Sequence, residues 1–211
     1  MRVRRLAASV AGFALAATAA VAIAPAAQAD HHGTNSLAAV LLADGNQFDG
    51  NWADYDIVTE AALAVLAAKP DSPVKVLTDG TVPLTAFLPN DRAFRLLVHD
   101  LTGKTAPEPQ VFATVASLGI DTVEAVLLYH VVPGATITSA QALQADGATL
   151  TTAQGGTFKV DVVNADKAYI KLIDQDPDAA NPWIMRTRLD INSGNVQIAH
   201  GISRVLRPVN L

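Results

Sequence analysis

A tyrosine and a histidine stand side by side in the apolar run LLYHVVPGA, residues 127–135, and they are the first candidates for chemistry in this sequence. The chain has five histidines and no cysteine, so His130 could be a catalyst, a metal ligand or a buried structural residue. Its aliphatic neighbours favour the structural role, because a histidine at the edge of a core normally bonds a backbone group. We expect His130 to tie the end of a helix to a nearby loop.

An acidic run is the first candidate metal site. Asp174, Asp176 and Asp178 have the D-x-D-x-D spacing that begins a calcium loop. Pro177 interrupts the run, and the twelfth position of such a loop is Met185 where a glutamate is needed. These departures favour a solvated loop over a calcium site.

A second metal hypothesis depends on cleavage after Ala29, which would create a new N-terminus that reads Asp30-His31-His32. A free amine, two backbone amides and a histidine at the third position form a square-planar set, which suits Cu(II) or Ni(II). The sequence therefore leaves copper or nickel binding open as a hypothesis.

Residue patterns typical of enzymes are missing from the chain. It contains no G-x-S-x-G around a serine and no H-E-x-x-H pair, and Gly155-Gly156 leads into a strand pattern where a phosphate loop needs a helix. These absences argue against a serine hydrolase, a zinc metalloprotease and a phosphate-binding loop.

The N-terminal segment has the composition of an export signal. A basic start is followed by an alanine-rich apolar stretch that ends in small residues at Ala29, which predicts a signal peptide over residues 1–29. Gly12 and Pro25 interrupt the stretch and argue against a membrane-spanning helix. The Arg4-Arg5 pair leaves twin-arginine export open, but the general secretory route is favoured.

The charge of the exported form excludes several partners. Removal of residues 1–29 takes away Arg2, Arg4 and Arg5 and no acid, which moves the formal net charge from −5 to −8. Such a chain does not attract nucleic acid or anionic membrane electrostatically. Without cysteine its stability must come from packing. We expect a secreted monomer with no membrane insertion.

Hydrophobic periodicity predicts helices early in the chain. Residues 30–47 show no clear period and are predicted to be a flexible leader, whereas helical spacing begins at Asp56 and stops before Pro70. Asn90 and Asp91 predict the start of another helix. Further helices are predicted over residues 111–119 and 121–130.

Strand patterns dominate the second half. Residues 75–78 (KVLT) and 82–89 (VPLTAFLP) read as early strands. Beyond residue 147 the period changes to two, in the runs ATLTTA, TFKVDVV, AYIKLI, MRTRLDI and NVQIAHGISRVL. Helices followed by strands predict an α+β fold.

Three stretches, in order, resemble one family. The first is TAFLPNDRAF at residues 85–94, the second is LLYHVVPGA, and the third is NVQIAHGISRVLRP at residues 195–208. In this order they resemble the first conserved block, the tyrosine-histidine motif and the second conserved block of the fasciclin (FAS1) domain family. The resemblance suggests a secreted bacterial single-domain member whose domain covers residues 48–211. It implies a wedge of β-strands packed with several helices, with no cofactor or reaction.

The resemblance also implies residue roles. It assigns these fold-defining positions: Thr85, Phe87, Pro89, Asp91, Phe94 and His200. It places Tyr129 and His130 near a surface that the family uses for contact. Ser203 stands where the family usually has an acidic residue, which puts any contact that needs this charge in question.

Residues 174–186 are longer than a tight hairpin needs, and they carry Trp183. Aromatic residues are enriched at interface centres, so Trp183 is a contact candidate, with folding back on its own loop as the alternative. The expected function is a secreted binding or adhesion module for an extracellular or cell-envelope protein or polysaccharide. The alternative is a carrier of a small ligand in a cleft near Tyr129 and His130, or of a metal at Asp30-His31-His32.

Overall fold

The computed structural model describes residues 32–210. Its α-helices are α1 Leu37–Leu41, α2 Asp56–Ala68, α3 Asp91–Thr102, α4 Glu108–Ala116, α5 Ile120–Tyr129 and α6 Ser139–Ala142, and 3₁₀-helices cover Leu42–Asp44 and Pro73–Thr78. The predicted signal peptide, residues 1–29, lies outside the described residues. So do Asp30 and His31 of the predicted copper or nickel site, which stays a prediction.

The strands of the described chain form two three-stranded sheets. They are β1 Leu84–Pro89, β2 Val131–Pro133, β3 Thr149–Thr151, β4 Thr157–Asn164, β5 Tyr169–Ile173 and β6 Gln197–Ile202. The first sheet has the order β2-β1-β6 and the second the order β3-β4-β5. Every strand except β1 follows residue 130, so the predicted α+β fold is confirmed.

Strand β1 is the centre of the first sheet. It pairs antiparallel with β2 and parallel with β6, with Phe87 opposite His200. All six of its residues are buried, as expected for a strand covered on both faces. Its side chains alternate between two cores, because successive strand residues point to opposite faces. Ala86 and Leu88 join a core built with the helices, and Phe87 joins a core built with the second sheet.

The prediction of a flexible leader over residues 30–47 is wrong for the described part of that segment. Leu37 and Leu41 of α1 are buried in the helical core. The Leu37 N–H donates to the buried side chain of Gln197 at 2.8 Å, and the Gly33 N–H donates to the Gly194 carbonyl at 2.7 Å. No local pattern indicates this docking, because both partners lie about 160 residues further along the chain.

Two predicted strands are also wrong. Residues 75–78 lie in the 3₁₀-helix Pro73–Thr78, where Pro73 presets the helical backbone at the first position. Residues 185–191 form turns and bends, because their backbone meets β6 at separate points, such as the bridge between Ile191 and Ala199 and the bond from the Met185 N–H to the Gly201 carbonyl at 2.8 Å.

Among residues 32–210, no single helix is long and apolar enough to cross a membrane. Helices α4 and α5 reach the required length and apolarity only as a pair, and they are bent by 104° at their junction.

Candidate functional site

His130 follows the last residue of α5 and is 4% exposed. Its Nδ1–H donates to the Val126 carbonyl at 2.7 Å, one turn back in the helix. Its Nε2 accepts from the buried Leu206 N–H at 2.9 Å, 76 residues away. Both ring nitrogens are therefore occupied, and the ring joins the helix end to the segment after β6, which supports the predicted structural role.

Burial lowers the pKa of His130 from 6.5 to about 4, although the bond to Val126 acts the other way. The imidazole is therefore neutral at neutral pH. With no free nitrogen and almost no exposure, it is unsuited to ligate a metal or to exchange protons with a substrate.

Tyr129 has no exposed surface. Its hydroxyl donates to the Thr157 carbonyl of β4 at 2.6 Å, and its ring packs edge-on against Phe158 at a centroid distance of 6.1 Å. Burial raises the pKa of Tyr129 to about 12. The side chain ties α5 to the second sheet.

The prediction that Tyr129 and His130 contact a partner or line a ligand cleft is wrong, because both side chains are buried. The cavity beside His130 has a volume of about 20 Å³ and a lining of Pro89, Phe94 and aliphatic side chains. Such a space holds about one water molecule. It has no room for the small ligand of the carrier hypothesis.

Thr85 and His200 hold the chain that leaves β2. The Thr85 hydroxyl donates to the Ala135 carbonyl and accepts from the Ile137 N–H, both at 2.8 Å. The His200 Nε2–H donates to the Ile137 carbonyl at 2.9 Å, and burial lowers its pKa. These two polar residues of the first sheet are thus satisfied by backbone groups.

The other residues that the resemblance assigns lie at the end of β1 and the start of α3. Phe87 meets Phe158 edge-on, with ring centroids 5.2 Å apart. Phe94 is buried in the helical core, and the Asp91 carboxylate accepts from the Ile57 N–H at 2.9 Å at the start of α2. Their positions are those of packing and capping groups.

The carboxylates of the acidic run that begins at Asp174 bond to backbone groups of the same run and to Arg207. The Asp174 side chain accepts from the Arg207 N–H at 2.9 Å, and the buried Asp176 carboxylate accepts from the Arg207 guanidinium at 3.2 Å. Asp176 also accepts from the backbone N–H groups of Asp178 and Ala179. The carboxylates of this loop therefore already have hydrogen-bond donors. This supports the interpretation of the run as a loop and not as a calcium site.

Trp183 lies at the other end of this loop and is held by Ser203. The Trp183 N–H donates to the Ser203 hydroxyl, and the Ser203 N–H donates to the Trp183 carbonyl, both at 3.0 Å. A carboxylate at position 203 could accept the first bond, but serine does so without placing a charge beside the ring. Ser203 therefore positions Trp183.

Trp183 and Tyr169 form an exposed ring pair. Each is 38% exposed, and the rings meet edge-on at a centroid distance of 6.3 Å. The Lys171 ammonium lies 5.1 Å from the centre of the Trp183 ring, and the Arg186 guanidinium lies 4.8 Å from that of Tyr169. We call these four residues the aromatic surface. It borders an open groove of about 430 Å³.

Sequence reasoning found Trp183 but missed the other three members of the aromatic surface. Tyr169 and Lys171 are two residues apart on β5, so the period of two places them on one face. That signal was present in AYIKLI. The approach of Trp183 to Lys171, through an antiparallel bridge, is decided by the loop path and had no local signal.

The chain matches a known domain family over most of its length. A model of the fasciclin domain matches residues 59–208. The chain belongs to the fasciclin domain family. The matched residues include all three stretches that carried the resemblance, which is thereby confirmed.

The fold of this fasciclin domain is similar to that of a solved FAS1 domain pair from the insect cell adhesion molecule Fasciclin I. The identity is 14%, the TM-score is 0.49, and the match covers 71% of this chain and 46% of that one. A comparison with curated protein sequences gives no match. Fasciclin domains are known in adhesion-type proteins, are typically extracellular, and are generally not enzymes.

Proposed function

We propose that this fasciclin domain is a secreted, monomeric binding module whose aromatic surface contacts an extracellular or cell-envelope protein. The observation that carries the proposal is the exposed pair of Trp183 and Tyr169, which is fixed by Ser203 and by strand β5. A side chain that is already ordered loses less conformational entropy on binding than a mobile one. This preorganisation favours a contact role over a solvated loop.

The composition of the aromatic surface favours a protein partner. Tryptophan, tyrosine and arginine are the residues that contribute most at protein interfaces. Lys171 lies over the Trp183 ring and Arg186 over the Tyr169 ring, so one face of each ring is covered by a cation. A sugar ring stacks on a free aromatic face, whereas a protein uses ring edges and cations as well. We therefore place protein before polysaccharide.

Capture by the exported protein tests this proposal. The immobilised wild type is incubated with extracellular protein and with cell-wall polysaccharide fractions, and retained material is treated with protease or glycosidase. We expect a protease-sensitive partner whose affinity falls about 30-fold in Trp183→Ala, the loss typical of an interface hot spot. Tyr169→Ala should weaken the same partner.

The matched control is Val163→Ser on β4, which changes an apolar side chain that is 51% exposed outside the aromatic surface. It should bind like the wild type. Equal retention by wild type, Trp183→Ala and Tyr169→Ala would exclude this surface as the contact. Retained material that resists protease but is released by glycosidase would make the partner a polysaccharide. Sequencing of the exported protein tests secretion, since its N-terminus should be Asp30.

A further inference from the structure

Three carboxyl groups from separate segments meet beside the start of α3. Asp54 lies in the loop before α2, Asp91 is the first residue of α3, and Glu108 is the first residue of α4. One oxygen from each lies within 4.8 Å of the others. Like charges held this close repel unless something lies between them.

The burial of these groups makes the arrangement unusual. Asp91 has no exposed surface and Glu108 is 2% exposed. One oxygen of Asp91 accepts from the Ile57 N–H, and one oxygen of Glu108 accepts from the Gly50 N–H at 2.9 Å. The second oxygen of each, Oδ2 and Oε1, is buried without a hydrogen-bond donor, as is Oδ1 of Asp54. Buried carboxylate oxygens normally have a donor or a cation.

Within the described residues, 32–210, no lysine or arginine forms an ion pair with the cluster. The salt bridges found among residues 32–210 involve other acids, including Asp100, Asp121, Glu124 and Asp176, and none reaches Asp54, Asp91 or Glu108. The part of the chain that the structure describes therefore supplies no cation to these three carboxyl groups.

We propose that Asp54, Asp91 and Glu108 bind one calcium ion. Oxygens within 4.8 Å of one another fit around a single ion that lies at a Ca–O distance of about 2.3 to 2.6 Å from each. The donor set contains only oxygen, which selects a hard cation, and it lacks the histidine or cysteine that zinc prefers. Asp54 is partly exposed, so solvent can supply the remaining ligands that calcium takes.

A bound ion would connect the loop before α2 to α3 and α4. The loop already meets α3 through its backbone, since the Asp91 N–H donates to the Asp54 carbonyl at 3.1 Å and the Arg92 N–H donates to the Trp52 carbonyl at 3.0 Å. Calcium at the three carboxylates would add a contact to α4. Calcium binding should therefore raise the stability of the folded protein, because only the folded chain brings the three ligands together.

Titration of the EDTA-treated full chain with CaCl2 tests the proposal. Isothermal calorimetry at neutral pH should give one site with a Kd of about 10⁻⁵ to 10⁻³ M, and excess CaCl2 should raise the unfolding midpoint. Glu108→Gln keeps the shape of the side chain and removes its charge, so it should weaken binding at least about tenfold. Asp54→Asn, at a partly exposed position, is the second variant and should do the same.

Asp49→Asn is the matched control. Asp49 is exposed and belongs to a neighbouring acidic group with Asp54 and Asp56, so its variant removes the same charge close by and should bind like the wild type. Without calcium, Glu108→Gln should fold at least as stably as the wild type, because it relieves repulsion.

Three results would overturn the proposal. The first is a folded wild type that shows neither heat of binding nor a midpoint shift up to about 10 mM CaCl2, well above the Kd range of calcium modules. The second is binding that is lost in Asp49→Asn but kept in Glu108→Gln. The third is tighter binding of MgCl2 than of CaCl2.

Discussion

Replacing His130 by alanine removes the ring that joins α5 to the segment after β6. The Val126 carbonyl loses a donor, and the Leu206 N–H loses its acceptor. Leu206 is fully buried, so its N–H is left without a partner. An orphaned buried group of this kind destabilises a protein by about 1 to 3 kcal/mol, and we expect His130→Ala to lower the free energy of unfolding by that amount at neutral pH.

This loss should depend on pH. The pKa of His130 is lowered from 6.5 to about 4 in the folded protein, so between these values the unfolded chain binds a proton that the folded protein does not. The stability contributed by the neutral ring is therefore complete above pH 6.5 and is lost as the pH falls toward 4. The difference in pKa corresponds to about 3 kcal/mol. The advantage that the wild type has over His130→Ala at neutral pH should therefore disappear or reverse as the pH approaches 4.

Another buried group changes stability in the opposite direction. The pKa of Asp91 is raised to about 8, so its contribution is present at low pH and is lost as the pH rises from 3.8 toward 8. The pH profile of the wild type alone therefore mixes the two effects. The difference between wild type and variant at each pH removes the Asp91 contribution, because both proteins contain it.

The assay is urea unfolding followed by tryptophan fluorescence, in EDTA, at several pH values between 4 and neutrality. His99→Ala is the control, since His99 is exposed and its loss should change stability by less than about 0.5 kcal/mol. A stability difference between wild type and His130→Ala that stays constant over this range would refute the reasoning. So would a difference that grows as the pH falls.

Three further substitutions test the packing around the motifs, each by urea unfolding. Tyr129→Phe removes the bond to the Thr157 carbonyl and should destabilise by about 1 kcal/mol, and an unchanged midpoint would show that this bond adds nothing. Arg207→Met leaves the buried Asp176 carboxylate without its cation and should destabilise the protein by about 3 to 5 kcal/mol. A small loss of stability would show that the backbone donors alone stabilise that carboxylate. Gly201→Ala would place a methyl group within 2.5 Å of a tyrosine oxygen and should destabilise by about 1 to 3 kcal/mol, whereas a neutral effect would show that the neighbours can move.

Local patterns predicted much of the regular structure. The apolar run in VPLTAFLP gave a central strand, and Asn90 caps α3 by accepting from the Ala93 N–H at 3.1 Å, since a cap needs only residues three apart. Alternation beyond residue 147 gave β3, β4, β5 and β6. The order of the three motifs was enough to indicate the family, which the match over residues 59–208 then established.

Long-range contacts decided the rest. The docking of α1 depends on Gln197, and the aromatic surface depends on a loop that brings Trp183 to β5. The carboxyl cluster joins Asp54, Asp91 and Glu108 from three separate elements. The sequence alone determined helices α2 to α5, most strands and the motif order, because periodicity and capping act over a few residues. Only the tertiary structure decided which side chains are buried and which meet, because those contacts depend on the path of the whole chain.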